Sequence, residues 1–188
     1  MSVRKLQRTD GAVFFCTFTC WAWLPLIERT RTYDRVYNWM HIARGKGFRI
    51  LGFVIMPNHV HLLLFAPAGP SINALLANAK RFLAYDIIAR LKGQGEHELL
   101  GRLKAAVRPS DVKRGQEHRA FTTSSDIREC FDEAMVRQKL EYMHANPVSG
   151  KWSLVQNALD YPHSSMGFYE RGDVSPAPVE HFELVLSQ

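Results

Sequence analysis

Phe48-Arg-Ile-Leu-Gly-Phe-Val-Ile-Met-Pro-Asn-His-Val-His-Leu-Leu-Leu-Phe-Ala66 holds two apolar runs, 48–56 and 59–66, separated only by Pro57 and Asn58. Runs this rich in branched and aromatic residues read as strands. A two-residue spacer joins such strands as an antiparallel hairpin, and Pro57 argues against a primed turn. The second strand is apolar on both faces, so both faces of its sheet must be covered.

Outward from the hairpin, Val13 to Thr19 is a further β-type run. Tyr33 to Lys46 follows with Val36, Trp39, Met40 and Ala43 at helical spacing, and Gly45 and Gly47 as stop signals. Beyond the hairpin, Ser71 is placed to cap a helix that runs through Ile72, Leu75, Leu76, Ala79, Phe82, Leu83 and Ile87 to Gly93. Gly101 to Arg119 is polar and basic without a period and reads as a loop, with a short strand expected near 120–122. Asp126 to Ala145 reads as a helix closed by Asn146-Pro147, because a residue before proline is pushed out of the helical region. An irregular tail with Pro162, Pro176 and Pro178 completes the chain. The order predicts an α+β fold: a ferredoxin-like βαββαβ antiparallel sheet with an added C-terminal helix and an irregular tail. One domain is expected over 1–188, its core about 10–150 and its tail about 151–188.

Composition narrows the class. With 46% hydrophobic and 22% charged residues over 188 positions, the chain has material for a core, which argues against a disordered or fibrous protein. Its 24 Lys+Arg against 18 Asp+Glu leave +6, compatible with a polyanionic partner or with solubility alone. Cys16, Cys20 and Cys130 form no CxxC and read as reduced, buried thiols of a cytoplasmic protein. Ala12 to Ile27 is apolar but short, contains Thr17 and Thr19 and is broken by Pro25, so neither export nor a membrane association is expected.

Two patterns point to chemistry. In the second hairpin strand, His59 and His61 share a face with Leu63 and Phe65, and imidazoles two residues apart can converge on one metal ion. The same pattern fits two half-buried histidines that simply hydrogen-bond to their neighbours, although an apolar hairpin makes that costly. A histidine-triad hydrolase would need a third histidine where Leu63 stands. In the last helix, Val136, Leu140, Met143 and His144 form the core stripe, while Tyr142 shares another face with Met135, Gln138, Lys139 and Asn146. Asn146 is one turn after Tyr142, so a helix that keeps its geometry to the end presents phenol and amide side by side. A solvent-facing tyrosine before a helix stop would show the same pattern.

Together these stretches carry a resemblance. Gly52-Phe-Val-Ile-Met-Pro-Asn-His59-Val-His61-Leu-Leu-Leu resembles the HUH motif of IS200-like single-tyrosine transposases. Lys139-Leu-Glu-Tyr142-Met-His-Ala-Asn146-Pro-Val, with Tyr161-Pro-His-Ser-Ser-Met-Gly-Phe-Tyr169, resembles the catalytic helix and tail of the REP-associated tyrosine transposase branch, and the similarity spans about 10–170. The resemblance implies a metal-dependent single-stranded DNA endonuclease and strand transferase that cleaves near hairpin or palindromic repeats through a 5′-phosphotyrosine. It implies Tyr142 as the nucleophile and His59, His61 and Asn146 as ligands of a divalent ion, Mg²⁺ or Mn²⁺. It further implies a DNA hairpin as partner and a monomer or homodimer. Lys139 is a candidate aid to the tyrosine.

Phosphate contacts are expected from Lys80, Arg81, Arg90 and Lys92 on the second helix and from Arg102, Lys104, Arg108, Lys113, Arg114 and Arg119 beyond it. Trp152, Tyr161 and Tyr169 are candidates for stacking on bases. Rival readings are a non-catalytic hairpin binder on the same scaffold, a rolling-circle replication initiator and a metal-dependent phosphoesterase.

Overall fold

The structure, a computed structural model, describes residues 11–150 and 153–187; Trp152 lies outside them. In chain order the elements are β1 (Gly11–Thr19), a 3₁₀ turn (Trp21–Trp23), α1 (Leu26–Thr30), α2 (Tyr33–Gly45), β2 (Arg49–Ile55), β3 (His59–Pro67), α3 (Ile72–Gly93), α4 (His97–Ala105) and α5 (Pro109–Val112). There follow β4 (Asp126–Cys130), α6 (Glu133–His144), 3₁₀ turns at Asn146–Val148 and Ala158–Asp160, α7 (Met166–Arg171) and α8 (Phe182–Leu186). The sheet order is β2-β3-β1-β4, with every neighbouring pair antiparallel. That is the expected ferredoxin-like arrangement, in which each crossover returns the chain to a strand one place removed.

Side-chain alternation divides the core in two. Val60, Leu62 and Leu64 of β3 pack beneath α2 and α3, against Met40, Leu76 and Leu83. Leu63 and Phe65, with Val13 and Phe15 of β1, face Val136, Leu140 and Met143 of α6. The histidine face of β3 is therefore roofed by α6. Gly52 lets the roof come close: a Cβ there would stand 2.7 Å from Leu140 Cδ1 and collide with Met143 Cε.

Three expectations need correction. The segment Asp126–Cys130 is a strand rather than the start of the last helix. Asp-Ile-Arg-Glu is good helix-forming material, but pairing with Thr17 through Val13 satisfies an edge of β1 that would otherwise be left open. The helix begins after Asp132, whose carboxylate accepts from Met135 N–H at 2.7 Å as an N-cap. The strand expected near 120–122 amounts to one bridge between Cys20 and Phe121. α4 runs into the expected loop 101–119, because Leu99, Leu100 and Leu103 make an apolar stripe that joins the core beside α3, and the short α5 lies within that loop.

The tail is not structureless. Its backbone covers the open edge of β2, where Ser165 N–H donates to Phe53 O and Glu180 N–H to Ile50 O, both at 2.9 Å. Ile55 N–H donates to His163 O at 2.9 Å, and an Arg49–Glu180 ion pair adds to the join. Covering an edge in this way removes a template for strand addition.

Candidate active site

His59 and His61 project from β3 toward α6 and are 6% and 5% exposed. Their Nε2 atoms stand 3.1 Å apart. Each Nδ1 is held from behind: His59 Nδ1 lies 2.6 Å from Asn58 Oδ1, and His61 Nδ1 lies 2.8 Å from Thr17 Oγ1. The Asn58 amide donates its Nδ2 to Trp23 O at 3.0 Å, so its oxygen faces His59 and can only accept. His59 therefore carries its proton on Nδ1 and turns a bare Nε2 lone pair into the cleft. Burial pushes His59 down to about 4 and His61 to about 3, the latter lowered further by His59 and raised in part by a hydrogen bond with Asn146. Both rings are neutral at pH 7, the form in which imidazole binds metal.

Above the pair, Tyr142 sits on the cleft side of α6, 55% exposed. Its ring centroid is 5.7 Å from that of His61 and 6.0 Å from that of Phe15. The helix keeps right-handed geometry through Ala145, and Asn146 Nδ2 donates back to Tyr142 O at 2.8 Å. That bond leaves the Asn146 oxygen for His61, so the predicted phenol, amide and imidazole pair are brought together. Lys139 Nζ is 5.4 Å from the Phe15 ring and 6.0 Å from that of Tyr142, a cation within reach of any anion bound there.

These groups line a cavity of about 880 Å³. The donor set of two imidazoles and one amide oxygen contains no carboxylate, and among the described residues no cluster of three His, Cys, Asp or Glu exists. The set nevertheless fits a divalent ion. Two nitrogens each about 2.1 Å from one ion in cis positions stand about 3.0 Å apart, close to the separation here.

Among the cleft residues that sequence reasoning did not single out are Asp126, Arg128 and Trp23. Asp126 and Arg128, ion-paired at 3.0 Å, reach the cleft from β4. Once that strand is recognised, pairing with Thr17 and Phe15 puts both on the histidine face, but the helical reading concealed this. Trp23 lines the far end, and no motif marks it.

None of the ten basic residues singled out for phosphate contacts lines this cavity. Lys80 is committed elsewhere: Nζ donates to Thr122 O at 3.2 Å and Thr123 O at 2.7 Å, and burial lowers its pKa. Arg90 Nη2 donates to both Asp34 carboxylate oxygens, Arg119 donates to Thr123 Oγ1, Arg114 is 4.0 Å from Asp111, and Arg81 lies over the Phe82 ring. Lys92, Arg102, Lys104, Arg108 and Lys113 are exposed around α3 to α5. Tyr161 and Tyr169 are clasps, their hydroxyls donating to Ile55 O at 2.8 Å and Leu51 O at 2.5 Å. Cys16, Cys20 and Cys130 are free and buried, as expected.

His144 fastens the active helix to the tail. Its Nε2 lies 2.8 Å from Ser165 Oγ, and burial pushes its pKa down to about 4. The unfolded chain takes up a proton on this histidine below about pH 6.5, whereas the folded chain does so only near 4, so stability falls as pH drops through that window. Between pH 6.5 and 5 the loss is about 2 kcal/mol. Urea unfolding at pH 7 and pH 5 is expected to show it on top of parallel losses from His59 and His61, and His144→Gln to reduce the drop by its own share.

No family model and no curated protein matches the chain. Several solved chains do. A REP-associated tyrosine transposase, solved bound to a REP hairpin, superimposes with a TM-score of 0.56 at 17% identity, covering 94% of this chain and 90% of that one. A Deinococcus radiodurans R1 protein described as a transposase gives 0.41 at 16% identity, over 76% of this chain and 98% of that one. With its sheet order, its roofing helix and the first of these superpositions, the chain has the fold of a REP-associated tyrosine transposase.

Proposed function

We propose that the protein is a transposase-like, metal-dependent single-stranded DNA endonuclease and strand transferase that cuts near hairpin repeats through a 5′-phosphotyrosine. One observation carries the reading: an exposed phenol, Tyr142, stands against two neutral histidines whose Nε2 atoms converge to 3.1 Å, with the Asn146 amide beside them. The fold of a transposase solved on a REP hairpin supports a hairpin-bearing DNA as substrate.

In the reaction, Tyr142 Oη attacks the scissile phosphorus, forming an O–P bond as the P–O3′ bond breaks. The phenol gives up a proton and the leaving 3′ oxygen takes one up, so the step is proton-neutral and retains the phosphodiester energy for reversal. A divalent ion, Mg²⁺ or Mn²⁺, held by His59, His61 and Asn146 would polarise the phosphate and offset its charge. Asn58 and Thr17 hold the two rings in register, as outer partners of metal-binding histidines do. Lys139 supplies positive charge to the cleft, while the charge of Arg128 is balanced by Asp126. Among the described residues no helix is long and apolar enough to cross a membrane.

The test is incubation with hairpin-bearing single-stranded oligonucleotides and Mn²⁺. The expected products are a covalent protein–DNA adduct and a free 3′-OH strand, both lost with a chelator. Binding without an adduct would indicate a hairpin binder, and release of small nucleotides without an adduct a phosphoesterase.

A further inference from the structure

Trp23 is 58% exposed, whereas Trp39 is 3% exposed in the core. It sits on a turn with two successive non-glycine residues in the left-handed region, Ala22 at φ 51° and Trp23 at φ 57°. L-residues avoid that region on steric grounds, and such outliers persist where surrounding contacts impose them. The contacts are present: Trp23 N–H donates to Cys20 O at 3.1 Å, Trp21 N–H donates to Ala120 O at 2.8 Å, and Trp23 O accepts from Asn58. Asn58 is fully buried and also holds His59, so one amide fixes both the indole's backbone and the imidazole. The ring stands edge-to-face with His59, centroids 5.8 Å apart, and lines the same cavity as Tyr142.

The register fixes where Trp23 lies. His61 pairs with Thr17 and His59 with Thr19, and β1 then runs on through Cys20 into the Trp21–Trp23 turn. Tyr142 contacts Phe15 and His61, at the other end. Along the strand the order is Tyr142, His61, His59, Trp23. A phosphate held at the histidines is attacked from the Tyr142 end, and in an in-line displacement the leaving oxygen departs toward the Trp23 end. A flat, open indole at that end is matched by the face of a nucleobase.

We infer that Trp23 is the stacking platform for the unpaired base of the nucleotide whose 3′ oxygen leaves, an assignment that rests on the endonuclease reading above. Stacking there positions the scissile phosphate for attack and keeps the freed 3′-OH at hand for the reverse, joining step.

The test is single-turnover adduct formation on oligonucleotides whose cleavage position has been mapped, either intact or abasic at the nucleotide 5′ or 3′ of the scissile phosphate. In the wild-type protein a 5′ abasic site is expected to slow the reaction by about 10–100-fold. Trp23→Ala on intact DNA loses a similar factor, and combining the two adds no further loss. Trp23→Phe retains most of the rate, and a 3′ abasic site affects wild type and Trp23→Ala alike. Multiplying losses in the 5′ combination, a Trp23 effect that follows the 3′ nucleotide, or a Phe variant as slow as Ala would each overturn the inference while leaving the endonuclease reading intact. A wild-type protein that forms no Tyr142 adduct removes both.

Discussion

Tyr142→Phe removes the covalent protein–DNA adduct, with a fall in single-turnover cleavage of at least about 10³-fold, the scale on which loss of a nucleophile is felt. The variant isolates one atom. Phenylalanine keeps the ring that meets His61 and Phe15, and Tyr142 is more than half exposed, so neither the core nor the roofing helix is disturbed. Urea midpoint and hairpin-DNA affinity should match wild type, separating chemistry from folding and binding. The cleft contains three other hydroxyls, those of Thr17, Thr19 and Ser149. Thr17 is engaged with His61 at 2.8 Å and Ser149 Oγ donates to Asn146 O at a longer 3.2 Å, so Thr19 and the more weakly held Ser149 are the rivals. An adduct that persists in Tyr142→Phe and maps by peptide sequencing to either would overturn the nucleophile assignment.

The contrast between what local pattern revealed and what it hid has a physical source. The hairpin 48–66, α2 and α3 are visible because their periods, Gly stops and Ser71 cap agree with the tertiary environment each enters. The roof over the histidines was implied by an apolar strand on both faces, and the Tyr142–Asn146 juxtaposition by helical spacing that persists through Ala145. The strand β4 was hidden because Asp126, Arg128 and Glu129 are largely solvent-facing and their strand geometry comes from pairing with β1, more than a hundred residues earlier. That error carried a functional cost, since Arg128 and Asp126 flank the cleft. The basic residues of 80–119 were visible as charge, but charge does not reveal geometry. Lys80 and Arg90 spend theirs on holding loops and helices, whereas at the cleft Lys139 stands by the aromatic rings and Arg128 is paired with Asp126.

Removing an imidazole tests the remaining half of the site. His61→Ala is expected to lower Mn²⁺-dependent adduct formation by about 10²–10³-fold, because a bound metal ion contributes several kcal/mol to such a transition state. Mn²⁺ affinity, followed by calorimetry or by the electron spin resonance of the ion, should weaken in parallel. His61 is buried against Phe15, so truncation also leaves a cavity, and activity alone would not distinguish a lost ligand from a loosened core. Asn58→Ala distinguishes them. It leaves both imidazoles in place but frees His59 Nδ1 from its acceptor and Trp23 O from its donor, and loss of such a histidine partner lowers metal affinity by about 10–100-fold. A metal role predicts that the Asn58→Ala defect shrinks as Mn²⁺ is raised, since the ligands remain and only their orientation is lost. A purely structural role predicts a defect that tracks the urea midpoint and ignores the metal concentration. Full Mn²⁺-dependent activity in His61→Ala would instead show that the converging imidazoles hold no catalytic ion, leaving Tyr142 to act with the cation of Lys139 beside it.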